Sequence, residues 1–424
     1  MSALGTLLQA APRYRALLRS QYWNAEELRS YTKTRLNETF DAAVRIPFYA
    51  ERLKGLPRAE DLTSLPILRR SEIRELNDSV SGLHPPGFRL LSDSSSGSTG
   101  MPAEFLFDSS HQCGRHAARA RYLRENGWTP LRRNVWLIYA VFRTAHNDDE
   151  ELMQSRMVLR SHFISASLDL HDKVDALCRL DPVFIYTFPS YLELLLNVLA
   201  ETGRKLPSLR KLFTGAEVLE DSLRQRTKQV LGVEIAENYG STEAFLAWQC
   251  PEGKFHVNAE HVFVEIVDEQ GRAAAPGEIG KVLVTTLENR LAPLVRYEIG
   301  DYAVAADGNC RCGRTLPLIG KIIGRAMNLF RLGDRRLISP WCLSTAVRQC
   351  AEVKQFQIVQ NSVQRFTVRF VSDCTLTAEG EETIISGFRK VLGPEVSVGC
   401  QRVQEIARTR GGKYMTALSE LAKD

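Results

Sequence analysis

The sequence predicts an α/β fold in two parts: a large N-terminal domain on a parallel βαβ sheet with a barrel-like β addition, then a small α+β C-terminal domain. Three observations predict it. Residues 182–240 run strand, helix, strand, helix, strand. Beyond residue 260 the pattern changes to alternating strands. A chain of 424 residues is too long for one ordinary domain but suits a large one with a smaller one attached.

Taken in order, residues 1–80 mix charged and apolar residues at helical spacing, as in "AEELRSYTKTRLNETFDAAVRI", until "SGLHPPG" stops the pattern. The runs "NVWLIYA" (134–140) and "PVFIYTF" (182–188) are rich in β-branched and aromatic residues, the composition of buried strands. A helix over "PSYLELLLNVLAETG", a strand in "LRKLFTG", a helix over "EDSLRQRTKQVLG" and a strand in "EIAENYG" then complete a βαβαβ unit. Such a unit requires parallel strands covered by helices. Ligands sit at the carboxyl ends of strands in these sheets, where "FTGAE" and "NYGSTEA" fall. "HVFVEIV" and "GKVLVTTL" read as strands of the β addition. After "IGR" (323–325), a helix near 341–350, strands "FQIVQ" and "FTVRFV", a helix near 378–392 and a last strand form the small domain.

Composition narrows the function classes. Charged residues are 25% and hydrophobic ones 44%, as in a soluble globular protein. The net charge of +5 is spread without a dense basic tract, which gives no case for nucleic-acid binding. No apolar run approaches the roughly 20 residues of a membrane span. The N-terminal stretch lacks a basic segment before its short apolar run, so no secretory signal is expected. Nine scattered cysteines, an odd number, point to a reducing cytoplasm rather than a disulfide framework. His111 and His116, five apart in an expected helix, share no face and read as ordinary residues.

The stretch "SDSSSGSTGMPAEF" (92–105) has two readings. As a slack linker it needs no further explanation. As a loop, its glycines let the backbone approach an anion while hydroxyls and N–H groups cradle the oxygens. It is not a P-loop, because no Lys-Ser/Thr pair follows the last glycine.

Five further stretches follow it in order: "FTGAEVL", "NYGSTEA", "PLVRYEIGDYA", "GRAMNLFRLGDRRLISP" and "ARTRGGKYM". Together the set resembles the core motifs of the adenylate-forming superfamily. "NETFDAAVRIPFYAERL", "LPILRRSEIREL" and "CRCGR" resemble its phenylacetate-CoA ligase branch. The resemblance implies a domain break after Gly324-Arg325, hence residues 1–324 and a mobile domain over 325–424 that carries a catalytic lysine loop. It implies that Ser95, Ser96, Gly97, Ser98, Thr99 and Gly100 hold the β and γ phosphates of ATP. Thr242 would reach the α-phosphate and Glu243 would bind Mg²⁺, a hard cation suited to carboxylate oxygen. Gly215, Ala216 and Glu217 would border the adenine, with Tyr239, beside Gly240, packed on its face. Asp301 would accept hydrogen bonds from the ribose hydroxyls, a task for an ionised carboxylate. Arg296 and Arg325 would be ribose or phosphate partners, with a structural ion pair as the alternative. Lys413 would bridge the substrate carboxylate and the α-phosphate, stabilising charge as the carboxylate attacks phosphorus. One departure stands out: Ala326, Met327 and Asn328 occupy positions after the hinge where the family carries acidic residues.

The implied reaction joins a small carboxylic acid to AMP, releasing pyrophosphate, and passes the acyl group to an acceptor. The resemblance points to an aromatic or arylacetic acid and to coenzyme A (CoA). An amide synthetase using an amine, and an inactive nucleotide-binding homologue, are the alternatives. "YTFPSYLELL", with Phe188 and Tyr191, would line the acid pocket or be a well-packed strand–helix junction. Cys250, His256, Cys310 and Cys312 form a C…H…CxC pattern that resembles one in the same branch, and Cys₃His is a usual structural zinc shell; reduced thiols and a loop histidine are the alternative. The sequence leaves the oligomeric state open, and a homodimer is compatible with it.

Overall fold

The computed structural model describes residues 3–56, 64–85, 90–95, 103–129, 132, 134–137, 161–164, 170–325, 330–333, 337–338, 341–350, 352–407 and 416–421. Helices open the chain: α1 (Ala3–Ser20), α2 (Ala25–Ala43), α3 (Pro47–Arg52) and α4 (Ile73–Ser81). Asn24 starts α2 through a capping box: its Oδ1 accepts from the N–H groups of Glu26 and Glu27, and Glu27 accepts from its own N–H. Strands β1 (Leu91–Ser94) and β2 (Glu104–Phe107) pair antiparallel, and Ser95 N–H donates to the Ala103 carbonyl at 2.9 Å. The described residues that flank the serine- and glycine-rich stretch are thus held together by β1–β2 pairing.

Asp108 caps α5 (Ser109–Glu125) by accepting from His111 N–H at 2.7 Å. The expected βαβαβ unit follows. β3 (Asn134–Leu137), β4 (Ser161–Phe163), α6 (Leu170–Leu180), β5 (Phe184–Thr187), α7 (Pro189–Thr202), β6 (Lys211–Thr214), α8 (Asp221–Leu231) and β7 (Glu234–Gly240) give parallel strands in the order β4-β3-β5-β6-β7. β8 (Phe245–Gln249), β9 (Phe255–Val257), β10 (Val262–Val267), β11 (Ile279–Thr286), β12 (Tyr297–Ala305) and β13 (Leu318–Arg325) extend it in the order β7-β8-β9-β13-β12-β11-β10. The expected barrel-like addition is therefore the open half of one 11-stranded sheet, and no closed barrel forms among the described residues. Alternating sequence marks half-buried strands; it does not say whether their outer edges meet.

α5 crosses the junction of the two halves. Tyr122 donates to the Ala236 carbonyl at 2.9 Å and meets Phe213 edge-on at 5.6 Å. Arg121, with no exposed surface, forms an ion pair with Glu260 at 2.7 Å and donates to Asn258 Oδ1 at 2.7 Å. Burial alone would raise the Glu260 carboxyl, but the guanidinium holds it below its ordinary range.

The chain forms two compact units: Met1–Leu219 with Arg226–Ile322, and Ile323–Asp424 with Glu220–Gln225. The second contains β14 (Phe330–Arg331), β15 (Leu337–Ile338), α9 (Trp341–Arg348), β16 (Gln355–Ser362), β17 (Arg365–Val371), α10 (Ala378–Leu392), β18 (Ser397–Arg402) and β19 (Ala417–Ser419). Its sheet runs β18-β17-β16-β19, over a core in which Phe366 meets Phe330 at 5.3 Å and Phe388 at 5.9 Å. Among the described residues no helix is long and apolar enough to cross a membrane.

Candidate active site

Three segments implicated by the sequence lie on the first unit's sheet, two on the adjacent strands β6 and β7 and one on β12, beyond β8, β9 and β13. Gly215, Ala216 and Glu217 follow the end of β6; Tyr239 and Gly240 end β7, with Thr242 and Glu243 in the turn beyond; Asp301 lies within β12. The turn after β6 is closely fitted. A Cβ on Gly215 would lie 2.6 Å from Asn238 Nδ2, and that nitrogen is fixed by donating to the Thr214 carbonyl at 2.8 Å and to Tyr186 Oη at 2.7 Å. Ala216 adopts φ +66°, in the left-handed region that costs a residue with a Cβ roughly 1–2 kcal/mol. Glu217 accepts from Ser190 twice, from its N–H at 2.9 Å and its hydroxyl at 3.1 Å, which ties the turn to the start of α7. Phe188 and Tyr191 flank that start with ring centroids 6.2 Å apart, and the Lys173 ammonium sits 4.9 Å from the Tyr191 centroid.

β7 and β12 are joined directly. Tyr239 Oη donates to Asp301 Oδ2 at 2.9 Å, with both residues buried. The "LPILRR" segment docks on β12: Leu68 N–H donates to the Arg296 carbonyl at 3.1 Å and Glu298 N–H to the Leu68 carbonyl at 2.9 Å. Arg70 donates to Ser95 Oγ at 2.6 Å, at the neck of the serine-rich loop. Ser96, Gly97, Ser98, Thr99, Gly100 and Lys413 lie outside the described residues.

Arg296, expected as a ribose or phosphate partner or as a structural ion pair, makes an ion pair in this structure. It is 1% exposed; Nε and Nη2 engage Glu265 at 3.2 and 3.1 Å, Nη1 donates to the Leu65 carbonyl at 2.8 Å, and Nη2 donates to the Gly271 carbonyl at 2.8 Å. Reaching a nucleotide would strip these buried acceptors of their donors, a cost of about 1–3 kcal/mol for each. Arg325 is the last residue of β13.

Glu243 is 3% exposed, and among the described residues no donor hydrogen-bonds its carboxylate. Arg115, 5.5 Å over the Phe107 ring and 3.9 Å from Asp93, shares its electrostatic field. The Glu243 carbonyl is held at 2.8 Å by His111 Nε2. His111, read from its sequence spacing as ordinary, is fully buried and stacks against Phe107 and His261. Its separation from Glu243 by 132 positions left no local pattern to find.

The cysteine–histidine pattern closes into one cluster. The ligand atoms of Cys250, His256, Cys310 and Cys312 all lie within 4.8 Å of one another, with Cys250 Sγ 3.6 Å from Cys310 Sγ and Cys312 Sγ 3.3 Å from His256 Nε2. His256 Nδ1 faces the Leu316 carbonyl at 3.3 Å, so it carries the proton and Nε2 presents its lone pair to the sulfurs. Burial lowers this imidazole to about 4 and raises the Cys250 thiol. Burial also acts to raise the Cys312 thiol, but donors from Arg314 and the neighbouring thiols bring it below its ordinary value. Three sulfurs and one deprotonated imidazole nitrogen in a small buried space fit a tetrahedral zinc shell.

Comparison with known proteins agrees with this architecture. Residues 153–287 match the family model of the AMP-binding enzymes, and residues 332–420 match the CapK C-terminal domain. A phenylacetate-coenzyme A ligase of Thermus thermophilus is 26% identical over 321 residues, covering 71% of each chain. A solved 2-hydroxyisobutyryl-CoA ligase superposes with TM-score 0.74 at 20% identity over 95% of this chain and 93% of its own. An amide bond synthetase from Marinactinospora thermotolerans superposes with TM-score 0.56 at 16% identity over 82% of this chain and 77% of its own, a likeness of fold. These matches, with the ordered motifs and the Cys₃His cluster, make the chain similar to the adenylate-forming enzymes and, among them, to the phenylacetate-CoA ligases.

Proposed function

We propose that this protein is an AMP-forming acid–CoA ligase. A carboxylate oxygen of a small acid attacks the α-phosphorus of ATP, the bond to the bridging oxygen breaks, and pyrophosphate leaves. The CoA thiol then attacks the acyl carbonyl, giving up its proton as AMP departs. Adenylation is needed because a carboxylate is a poor electrophile. The observation that carries the reading is the Tyr239–Asp301 bond, which joins β7 to β12 beside the Thr242–Glu243 turn. That bond sets beside each other the carboxylate that would bind the ribose and the ring that would pack on the base, from two strands separated in the sheet by β8, β9 and β13.

In this reading Asp301 accepts from the ribose hydroxyls, Gly215, Ala216, Glu217 and Gly240 shape the adenine site, and Thr242 addresses the α-phosphate. The serine-rich loop, from Ser95 to Gly100, holds the outer phosphates, and Lys413 steadies the attacking carboxylate. Glu243, whose carboxylate accepts from no donor among the described residues, would hold Mg²⁺, which offsets phosphate charge when bound. Cys250, His256, Cys310 and Cys312 would hold a structural zinc whose four protein ligands leave no open position. Phe188 and Tyr191 suit an aromatic acid, since flat apolar rings bury a ring well.

Pyrophosphate release over a panel of aromatic and aliphatic acids tests the first step, and repeating it with CoA and then with amines tests the acceptor. Acyl-adenylate from at least one aromatic acid, converted to its thioester, is expected. Conversion only to amides makes the chain an amide synthetase; no pyrophosphate from any acid removes the enzymatic reading.

A further inference from the structure

The first turn of α5 aims His111 at the Thr242–Glu243 turn. Nε2 lies 2.8 Å from the Glu243 carbonyl oxygen, which can only accept, so Nε2 carries the hydrogen and Nδ1 is a bare lone pair. That Nδ1 is buried with no hydrogen-bond partner among the described residues. The ring is stacked against two others, Phe107 at 5.1 Å and 11° and His261 at 4.6 Å and 30°. His261 is fixed in turn: its Nδ1 lies 2.7 Å from Glu288 Oε2, and Glu288 forms an ion pair with Arg13 at 3.2 Å. Burial first, then the charges of His261 and Arg115, keep the His111 imidazole neutral by pushing its pKa well below the ordinary value.

A phenylalanine would fill the same stack without an orphaned nitrogen. Burying an unpaired imidazole nitrogen is unfavourable, so what distinguishes histidine here is its bond to the Glu243 carbonyl. We propose that His111 is a positioning residue for the Thr242–Glu243 turn: its Nε2–H, locked by the Phe107–His261 stack, fixes the Glu243 backbone and so sets where that carboxylate meets the Mg²⁺ complex of ATP. The inference rests on the role given to Glu243 above. It concerns how accurately the carboxylate is placed, not whether the protein folds.

His111→Phe keeps the stack and removes the donor; His111→Gln places an amide nitrogen near the former Nε2. His111→Phe should raise both the KM for ATP and the Mg²⁺ concentration giving half-maximal pyrophosphate release by about tenfold, the scale of one lost hydrogen bond. His111→Gln should recover most of that loss. Thermal midpoints for the two variants should agree within a few degrees. Selective ¹⁵N-histidine spectra of the unmodified protein, assigned by loss of one signal in His111→Gln, should show the Nε2–H tautomer. Unchanged Mg²⁺ dependence in a folded His111→Phe, equal loss in both variants with matching loss of thermal stability, or an Nδ1–H tautomer overturns the proposal. Glu243→Gln separates the two readings. If it abolishes Mg²⁺-dependent pyrophosphate release while His111→Phe does not alter it, only the His111 proposal fails. If Glu243→Gln has no effect, the metal role of Glu243 fails and the His111 proposal with it.

Discussion

At the residue scale, Asp301, Arg296 and His111 separate what local sequence can reveal from what it cannot. Asp301 stands in "RYEIGD", and its tie to Tyr239 at 2.9 Å leaves the carboxylate beside an aromatic ring. Asp301→Ala should weaken ATP binding on the order of tenfold or more, because hydrogen bonds to a charged acceptor contribute about 1.5–3 kcal/mol each. Tyr239→Phe keeps the ring and removes only the hydroxyl, so its loss should be smaller. Calorimetric titration of both variants decides it: ATP affinity unchanged in Asp301→Ala takes this carboxylate out of the nucleotide site. Arg296 sits in the same motif, yet Glu265 and two carbonyls occupy its guanidinium. Spacing lists residue types, whereas the partners of a buried guanidinium are chosen by folding. His111 is the converse: its environment comes from Phe107 nearby and from His261 and Glu243 far along the chain.

At the scale of elements, periodicity identified the parallel βαβαβ unit and the helix at 378–392, because helix and strand each impose a repeat on their buried faces. It could not distinguish an open sheet from a barrel, since closure depends on edge strands far apart in sequence. α5 shows a further limit. Gly114 interrupts that helix where a Cβ would lie 1.8 Å from Glu288 Oε2 and 2.6 Å from His261 Nδ1. Two effects therefore oppose each other in Gly114→Ala. Helix propensity favours alanine by about 1 kcal/mol. Against it, displacing Glu288 breaks its bond to His261 and its ion pair with Arg13, leaving a buried donor unsatisfied at about 1–3 kcal/mol. The packing term should win, with Gly114→Ala less stable by roughly 1–2 kcal/mol in urea unfolding. Equal or greater stability would mean that Glu288 swings aside freely and that the histidine stack is not held from that side.

At the scale of the whole molecule, the Cys₃His cluster joins the β8–β9 turn to the segment before β13, with Cys250 and Cys310 separated by 60 positions. A metal bridging them closes a long loop, so its removal should affect folding beyond the ligands themselves. Without a cation, three thiols crowd one another in a buried space where Cys250 resists ionisation. Zn²⁺ reverses that preference by binding thiolates and releasing their protons. Its affinity should therefore fall as pH falls, because protons compete for the sulfurs and for His256 Nε2. Protein purified without chelators should contain about one zinc per chain, as one closed four-ligand site requires. Chelation, or the double change Cys310→Ser with Cys312→Ser, should lower the thermal midpoint on the order of 3–5 °C, as loss of a few kcal/mol does in a chain of this size. The chelated protein should recover on adding Zn²⁺, whereas the double variant should not. The direct challenge is elemental analysis together with thermal unfolding. Far less than one zinc per chain, with a midpoint indifferent to chelator, would leave the cluster as four reduced side chains packed by burial alone.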